Sequence, residues 1–230
     1  MDLGELAGRV VAERFPDARA AVLAGSAGEG RANEFSDLDI VVVLGGPPAP
    51  YRETIRVDGR LVELFVHTDE SIAYWFDLER EQGVGILARM LATGLPLAGP
   101  DVAEIQTRAR EHLAAGPAPW DDDKLDYRRY LVSDAIDDLV GARDDDERDA
   151  VSGQLLTMTA ELHLAAHGRW LGKGKWLLRM LREDDRDLAD RLYASHRAAI
   201  ATGDPTELVA AVDAVLEPLG GRLAEGFAVR

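Results

Sequence analysis

The chain has 230 residues, of which 47% are hydrophobic, and its 26 basic residues against 42 acidic ones give a formal net charge of -16. It contains no cysteine, which excludes disulfides, zinc-thiolate sites and thiol chemistry. The length suffices for two modest domains, and the acidic balance disfavours a nucleic-acid substrate, because neutralising a phosphate backbone takes clustered Lys and Arg.

The first half of the chain alternates predicted helices and strands. Apolar residues in 2–14 recur at helical spacing, and Pro16 ends this helix. Residues 20–24 form a short predicted strand, which leads through a flexible Gly-Ser loop toward a second apolar strand over 40–44.

Asp37 and Asp39, at the head of the second strand, carry the strongest chemical signal. Side chains alternate between the faces of a strand, so the two carboxylates point the same way while Leu38 and Ile40 point into the core. Neighbouring carboxylates repel unless a cation lies between them, and Mg²⁺ prefers carboxylate and phosphate oxygens. The spacing therefore predicts a site for one or two Mg²⁺ ions.

The loop before Asp37 has the composition of a phosphate-binding segment. Gly25, Gly28 and Gly30 allow backbone amides to approach phosphate oxygens, and the Ser26 hydroxyl can donate to the same anion. The sequence therefore predicts that a nucleoside triphosphate binds here together with its metal.

A predicted hairpin follows the second strand and carries a further acid. Residues 51–57 and 60–67 predict this hairpin around Asp58 and Gly59, a pair suited to a type I′ turn. Glu63 is a charge among apolar residues of the second arm, which makes it a candidate functional residue. The alternative is an outward-facing side chain on a half-exposed strand.

The remaining periodicity predicts an α+β fold with two domains. Three helices follow the hairpin, over 69–81, 85–93 and 101–115, and a short extended piece over 95–97 lies between the second and the third. The Pro-rich stretch 116–119 predicts the boundary between a domain with a small mixed β-sheet and helices, over 1–116, and an all-α bundle domain, over 120–230. The acidic runs 121–123 and 144–147 fall at helix junctions and predict caps.

The segment 161–182 is basic in an otherwise acidic chain, and glycines interrupt its helices. It carries Arg169, Lys173, Lys175 and Arg179 around two tryptophans. Such a junction predicts contact with a triphosphate, whose outer oxygens a metal leaves partly uncompensated. The alternative is that these side chains satisfy the carbonyls at a helix C-terminus.

The stretch from Gly25-Ser26 through Ser36-Asp37-Leu38-Asp39 resembles the DNA polymerase beta-like nucleotidyltransferases, in the branch that includes kanamycin and other aminoglycoside nucleotidyltransferases and the minimal nucleotidyltransferases. The resemblance covers roughly the first hundred residues, and it implies that the N-terminal domain is catalytic. It implies catalytic and metal-binding roles for Asp37 and Asp39, and nucleotide binding by Gly25, Ser26 and Ser36. Such enzymes usually take a third carboxylate from a neighbouring strand, which implies that Glu63 is a metal ligand, the general base on an acceptor hydroxyl, or both.

The helical half is similar to the segment that closes over the nucleotide in aminoglycoside nucleotidyltransferases. That similarity implies nucleotide-binding roles for Lys173 and Lys175, and it makes Glu161 an alternative to Glu63 as the acid that accepts the hydroxyl proton. A second pattern, from Arg191 to His196, matches the Arg-x4-His of HEPN ribonuclease domains, for which a chance match is the favoured interpretation.

Together these features predict an adenylyltransferase-type enzyme. It would move a nucleoside monophosphate from a nucleoside triphosphate, with ATP the expected donor, to a hydroxyl of a small acceptor. The acidic charge favours a cationic acceptor such as an aminoglycoside, and so a role in antibiotic resistance. The alternative is an antitoxin-like regulator that modifies or binds a protein partner.

The sequence also predicts a cytoplasmic location. The N-terminal residues have no basic stretch ahead of an apolar run, and no segment approaches the roughly 18 uninterrupted apolar residues of a membrane span.

Overall fold

The computed structural model describes residues 2–228 and shows an α+β fold. The chain divides into two compact units, of which the first ends at Gly116 and the second begins at Pro117. A small mixed sheet with helices is followed by a helical region, which confirms the predicted fold class.

The first unit contains the whole sheet. Its elements in chain order are α1 (Leu3–Arg14), β1 (Ala20–Ala24), α2 (Gly25–Gly28), β2 (Leu38–Val43), β3 (Tyr51–Val57), β4 (Arg60–His67), α3 (Asp69–Gln82), α4 (Ile86–Thr93), β5 (Leu95–Ala98) and α5 (Val102–Ala115). The Gly-Ser segment predicted as a flexible loop is therefore one helical turn, α2. Glycine and serine do not exclude this conformation, because a single turn that directly follows a strand needs little helix propensity.

The β3–β4 hairpin has the predicted boundaries and the predicted turn. Asp58 has φ 49° and Gly59 has φ 82°, so both central residues occupy the left-handed region that a type I′ turn requires. The turn fixes the register, which pairs Val57 with Arg60 and Thr54 with Glu63.

The five strands lie in the order β3-β4-β2-β1-β5. The β2–β4 pair is parallel, whereas the other three pairs are antiparallel. The central strand β2 is buried on both faces except at Asp39, so its apolar run forms the middle of the core.

Each face of the sheet packs against its own helices. Helix α1 covers one face, where Leu38 and Ile40 lie fully buried. Helices α3, α4 and α5 cover the other face over Val41 and Val43. Because side chains alternate along β2, Asp39 belongs to the row of Val41 and Val43 and therefore to this second face.

The second unit is a bundle of helices around one apolar cluster. Its elements are α6 (Asp122–Val140), α7 (Asp145–Ala166), α8 (Lys175–Asp184), α9 (Arg186–Thr202), α10 (Thr206–Leu216) and a 3₁₀ turn (Glu217–Leu219). The acidic runs supply caps as predicted, since Asp121 accepts from the Lys124 amide and Asp144 from the Glu147 amide, both at 2.8 Å. Within residues 2–228, no helix combines the length and apolar character that a membrane span needs.

Candidate active site

Asp39 lies where two neighbouring strands present functional side chains next to each other. In the register of the sheet, Asp39 pairs with Ala24 of β1 on one side and with Glu63 of β4 on the other. The β2–β4 pairing is parallel and joins residues far apart in the sequence. The geometry of the sheet, and no local motif, therefore brings Glu63 beside Asp39.

The three predicted acids form one cluster. Asp37, Asp39 and Glu63 each offer a carboxylate oxygen within 4.8 Å of the other two, and all three side chains are partly exposed. Asp37 precedes β2 by one residue but continues its alternation, so it faces the same way as Asp39. Three convergent carboxylates are a donor set that fits a hard divalent cation such as Mg²⁺.

Gly25 packs directly against this cluster. Its φ is 62°, and a Cβ at this position would lie 2.1 Å from Oδ2 of Asp39. Only glycine therefore allows the backbone after β1 to approach the carboxylate so closely. Gly25, predicted to bind phosphate, and Asp39, predicted to bind metal, therefore lie next to each other.

Ser26 and Ser36 lie together beside the cluster. Their hydroxyl oxygens are 3.1 Å apart, and the Asn33 amide donates to Oγ of Ser36 at 3.0 Å. Arg60 donates to the Ser36 carbonyl at 3.3 Å, which links this loop to β4. The two predicted nucleotide-binding hydroxyls thus form a hydrogen-bonded pair supported by Asn33, a residue that the sequence analysis did not single out.

Arg52 is a second residue that the sequence analysis missed. It donates to Oε2 of Glu63 at 2.6 Å, and its guanidinium lies 4.7 Å from the centre of the Phe65 ring. The sequence could have predicted this contact. The type I′ turn places Thr54 opposite Glu63 and so makes Arg52 a diagonal neighbour of Glu63 on the same face of the hairpin. The side chain of Glu63 is 21% exposed and ion-paired with Arg52, and its role in the site stays a prediction beside the alternative of an outward-facing strand residue.

In the second unit, Lys173 and Lys175 are exposed around the start of α8. The alternative interpretation, in which basic side chains satisfy a helix C-terminus, does not explain them, because α7 ends at Ala166 and Lys175 is the first residue of α8. Positive charge is unfavourable at a helix N-terminus unless an anion binds there.

Glu161, the alternative acid, is half-buried on α7. Burial raises the pKa of Glu161, and Arg128, whose Nη1 is 4.0 Å from Oε2, opposes this shift. The residues of the Arg-x4-His pattern lie on α9, where a separation of five positions turns Arg191 and His196 about 140° apart around the helix. The two side chains therefore do not share a face.

Residues 8–81 match the family model described as a nucleotidyltransferase domain. The matched stretch contains the acidic cluster together with Gly25, Ser26 and Ser36. The matched stretch lies within the first unit and supports the coarser part of the resemblance seen in the sequence, a similarity to a nucleotidyltransferase domain. Membership of the kanamycin-type branch stays a prediction.

One solved structure is similar to most of the chain. The crystal structure of a nucleotidyltransferase-like protein from Exiguobacterium sibiricum 255-15 is similar over 93% of this chain and 74% of that chain, with 14% identity and a TM-score of 0.44. No curated protein matches the chain.

Proposed function

We propose that this protein is a metal-dependent nucleotidyltransferase, with ATP the expected donor and a hydroxyl of a small cationic molecule, such as an aminoglycoside-type antibiotic, as the acceptor. The observation that supports this proposal best is the convergence of Asp37, Asp39 and Glu63 within 4.8 Å, inside the stretch that matches the nucleotidyltransferase family.

Each residue of the site has a distinct proposed role. Asp37 and Asp39 hold one or two Mg²⁺ ions, which when bound would balance the charge that develops on the transferred phosphate. Ser26 and the backbone after Gly25 orient the phosphates, with Ser36 holding Ser26 in position. Glu63 binds metal or takes the proton of the acceptor hydroxyl.

Charge supports the choice of a cationic acceptor. The chain carries 42 acidic and 26 basic residues, and an acidic protein concentrates polycations near its clefts. At the site itself three carboxylates converge, and Arg52 is ion-paired with one of them, Glu63. Lys173 and Lys175 are proposed to bind triphosphate oxygens, because they combine with the positive end of the α8 dipole.

The decisive experiment is a transfer assay with the four nucleoside triphosphates, Mg²⁺ and a panel of aminoglycosides, lincosamides and neutral sugars, read by mass spectrometry. We expect a mass gain of one nucleoside monophosphate on a cationic small molecule. A gain that occurs only on a co-purified protein would instead support the regulatory alternative. No gain on any acceptor would contradict the proposed transfer and leave only a regulator that binds its partner without modifying it.

Asp39→Asn tests the metal assignment in the same assay. We expect loss of transfer with an unchanged or higher melting temperature in the absence of metal, because one of three neighbouring carboxylates no longer repels the others. Asp58→Asn is the matched control, since Asp58 is an ion-paired aspartate of the same unit, bound to Arg9 away from the site. Wild-type turnover in Asp39→Asn would rule out this metal site.

A further inference from the structure

A second cluster of metal-ligating side chains lies in the helical unit. His163 and His167 are four residues apart at the C-terminal end of α7, and Asp184 is the last residue of α8. Nε2 of His163 and Nδ1 of His167 lie 3.1 and 3.2 Å from Oδ2 of Asp184, and 3.0 Å from each other. Three potential ligand atoms therefore form a nearly equilateral triangle.

Hydrogen bonds alone do not satisfy this triangle. If both ring nitrogens carry a proton and donate to Oδ2 of Asp184, two N–H donors face each other at 3.0 Å. If His163 donates to His167, the lone pair of Nδ1 of His167 faces that of the carboxylate oxygen at 3.2 Å. With Asp184 ionised, every assignment of protons to the two imidazole nitrogens therefore leaves one side of the triangle without a hydrogen bond.

A cation resolves the conflict, because all three atoms then direct lone pairs at the same centre. Zinc bonds of about 2.0–2.1 Å in a tetrahedral site separate the ligand atoms by roughly 3.3 Å, close to the observed 3.0–3.2 Å. His163 in the last turn of α7 and His167 at its C-cap also have the i, i+4 spacing that recurs in zinc-binding helices.

We propose that His163, His167 and Asp184 bind a divalent transition metal such as Zn²⁺, with water in the fourth position. Two imidazoles and one carboxylate favour this class of metal over Mg²⁺, which prefers oxygen ligands. The site is separate from the all-carboxylate cluster of the first unit and would hold a different metal.

Neighbouring residues orient and partly bury the three proposed ligands. Arg169 donates from Nε to Oδ1 of Asp184 at 2.7 Å, which leaves Oδ2 turned toward the two imidazoles. The side chains of His163 and Asp184 are 10% and 11% exposed, whereas that of His167 is 52% exposed. Two ligands are thus fixed by packing, and the third leaves a path by which metal and water enter.

Metal binding would also close a loop of the chain. His167 immediately precedes the segment 168–174, and Asp184 ends the helix that follows it. A bond from each to the same ion ties together the two ends of the stretch that contains Lys173 and Lys175, which restricts its motion.

The test uses the full chain without an affinity tag, dialysed against a chelator and kept in excess Mg²⁺ so that the carboxylate cluster of the first unit is occupied. Calorimetry with Zn²⁺ gives stoichiometry and affinity, and Co²⁺ absorption reports tetrahedral coordination with nitrogen ligands. We expect one equivalent of Zn²⁺, the visible absorption of tetrahedral Co²⁺, and a higher melting temperature with Zn²⁺ than with Mg²⁺ alone.

Three variants distinguish a metal site from a hydrogen-bonded cluster. His167→Gln changes a half-exposed ligand and should abolish the Zn²⁺ equivalent and the Co²⁺ absorption. Arg169→Gln should weaken Zn²⁺ binding by about 10- to 100-fold, the usual effect of removing a partner of a metal ligand. Arg182→Gln, which breaks an exposed ion pair with Asp190 in the same unit, should bind Zn²⁺ like the wild type. Absence of Zn²⁺ binding in the wild type, or binding that His167→Gln leaves unchanged, would overturn the proposal.

Discussion

Gly25 is the residue at which the backbone most tightly constrains the candidate active site. A Cβ there would lie 2.1 Å from Oδ2 of Asp39. We therefore expect Gly25→Ala to displace the carboxylate and lower transfer strongly, while the strain of a positive φ lowers the free energy of unfolding by about 1–2 kcal/mol. Turnover, Mg²⁺ dependence and urea denaturation together measure both effects.

The matched control for this prediction is Gly59→Ala. Gly59, in the β3–β4 turn, has φ 82°, and a Cβ added there would have no atom of the described residues within 4 Å, so the variant carries backbone strain without the clash. Equal loss of transfer in both variants would mean that lost stability, and not contact with Asp39, causes the effect.

Glu63 can act as a base or as a ligand, and one substitution distinguishes the two roles. As the base, Glu63→Gln should lower kcat by roughly 10²- to 10⁴-fold with near-normal binding of Mg²⁺ and triphosphate. Raising the pH should then restore part of the rate, because the acceptor hydroxyl loses its proton more readily. As a ligand, the same change should weaken Mg²⁺ binding, and added Mg²⁺ should restore part of the rate.

Calorimetry of Mg²⁺-triphosphate binding and a pH-rate profile are the measurements. Glu53→Gln is the matched control, since Glu53 is an arginine-paired glutamate of the same hairpin, bound to Arg14 at 2.7 Å. A Glu63→Gln enzyme that is normal in both measurements would leave Glu161, whose pKa burial raises, as the next acid to test.

At the scale of elements, the hairpin and the bundle helices were predictable because their signals are local. Asp58-Gly59 specifies a turn through positive φ at both positions, and apolar periodicity defines the helices. Alternation along β2 likewise placed Asp37 and Asp39 on one face before any pairing was known.

Contacts between elements distant in sequence were not predictable in the same way. The parallel pairing of Asp39 with Glu63 depends on the strand order, which local patterns do not encode. The spacing of His163 and His167 shows a shared helix face, but only the packing of α8 on α7 brings Asp184 to it. Residue types therefore indicated the proposed ligands of the first site, whereas the second proposed site emerges only from tertiary structure.

The two lysines near the start of α8 are proposed to bind the triphosphate, and replacing them tests this. Replacing Lys173 and Lys175 together with alanine should raise the KM for the triphosphate or lower kcat, because two positive charges near the α8 N-terminus are lost. Both residues are exposed, so the change in folding free energy should stay below about 0.5 kcal/mol.

Steady-state kinetics and thermal denaturation test the double variant. Lys124→Ala is the control, because Lys124 is also exposed but lies over the Trp120 ring, 4.6 Å from its centre. Unchanged kinetics in the double variant would remove these lysines from the proposed nucleotide site.

At the scale of the whole molecule, the net charge of -16 should govern capture of a cationic acceptor. The Debye length falls from about 30 Å at 0.01 M salt to about 8 Å at 0.15 M, so added salt screens this attraction. We expect the KM of a polycationic acceptor to rise steeply with NaCl while that of a neutral sugar acceptor changes little. A KM that is independent of salt for both would argue against a cationic substrate.

The exposed lysines next to α8 make this protein suited to chemical footprinting. The chain has three lysines, Lys124, Lys173 and Lys175, and the rest of its 26 Lys and Arg residues are arginines. An amine-reactive reagent would therefore label the protein at its N-terminus, at Lys124 and at these two neighbours. Peptide mass analysis of the protein with and without a candidate ligand would then report occupancy near α8 in the unmutated protein, and a fluorophore attached there would follow the same event in real time.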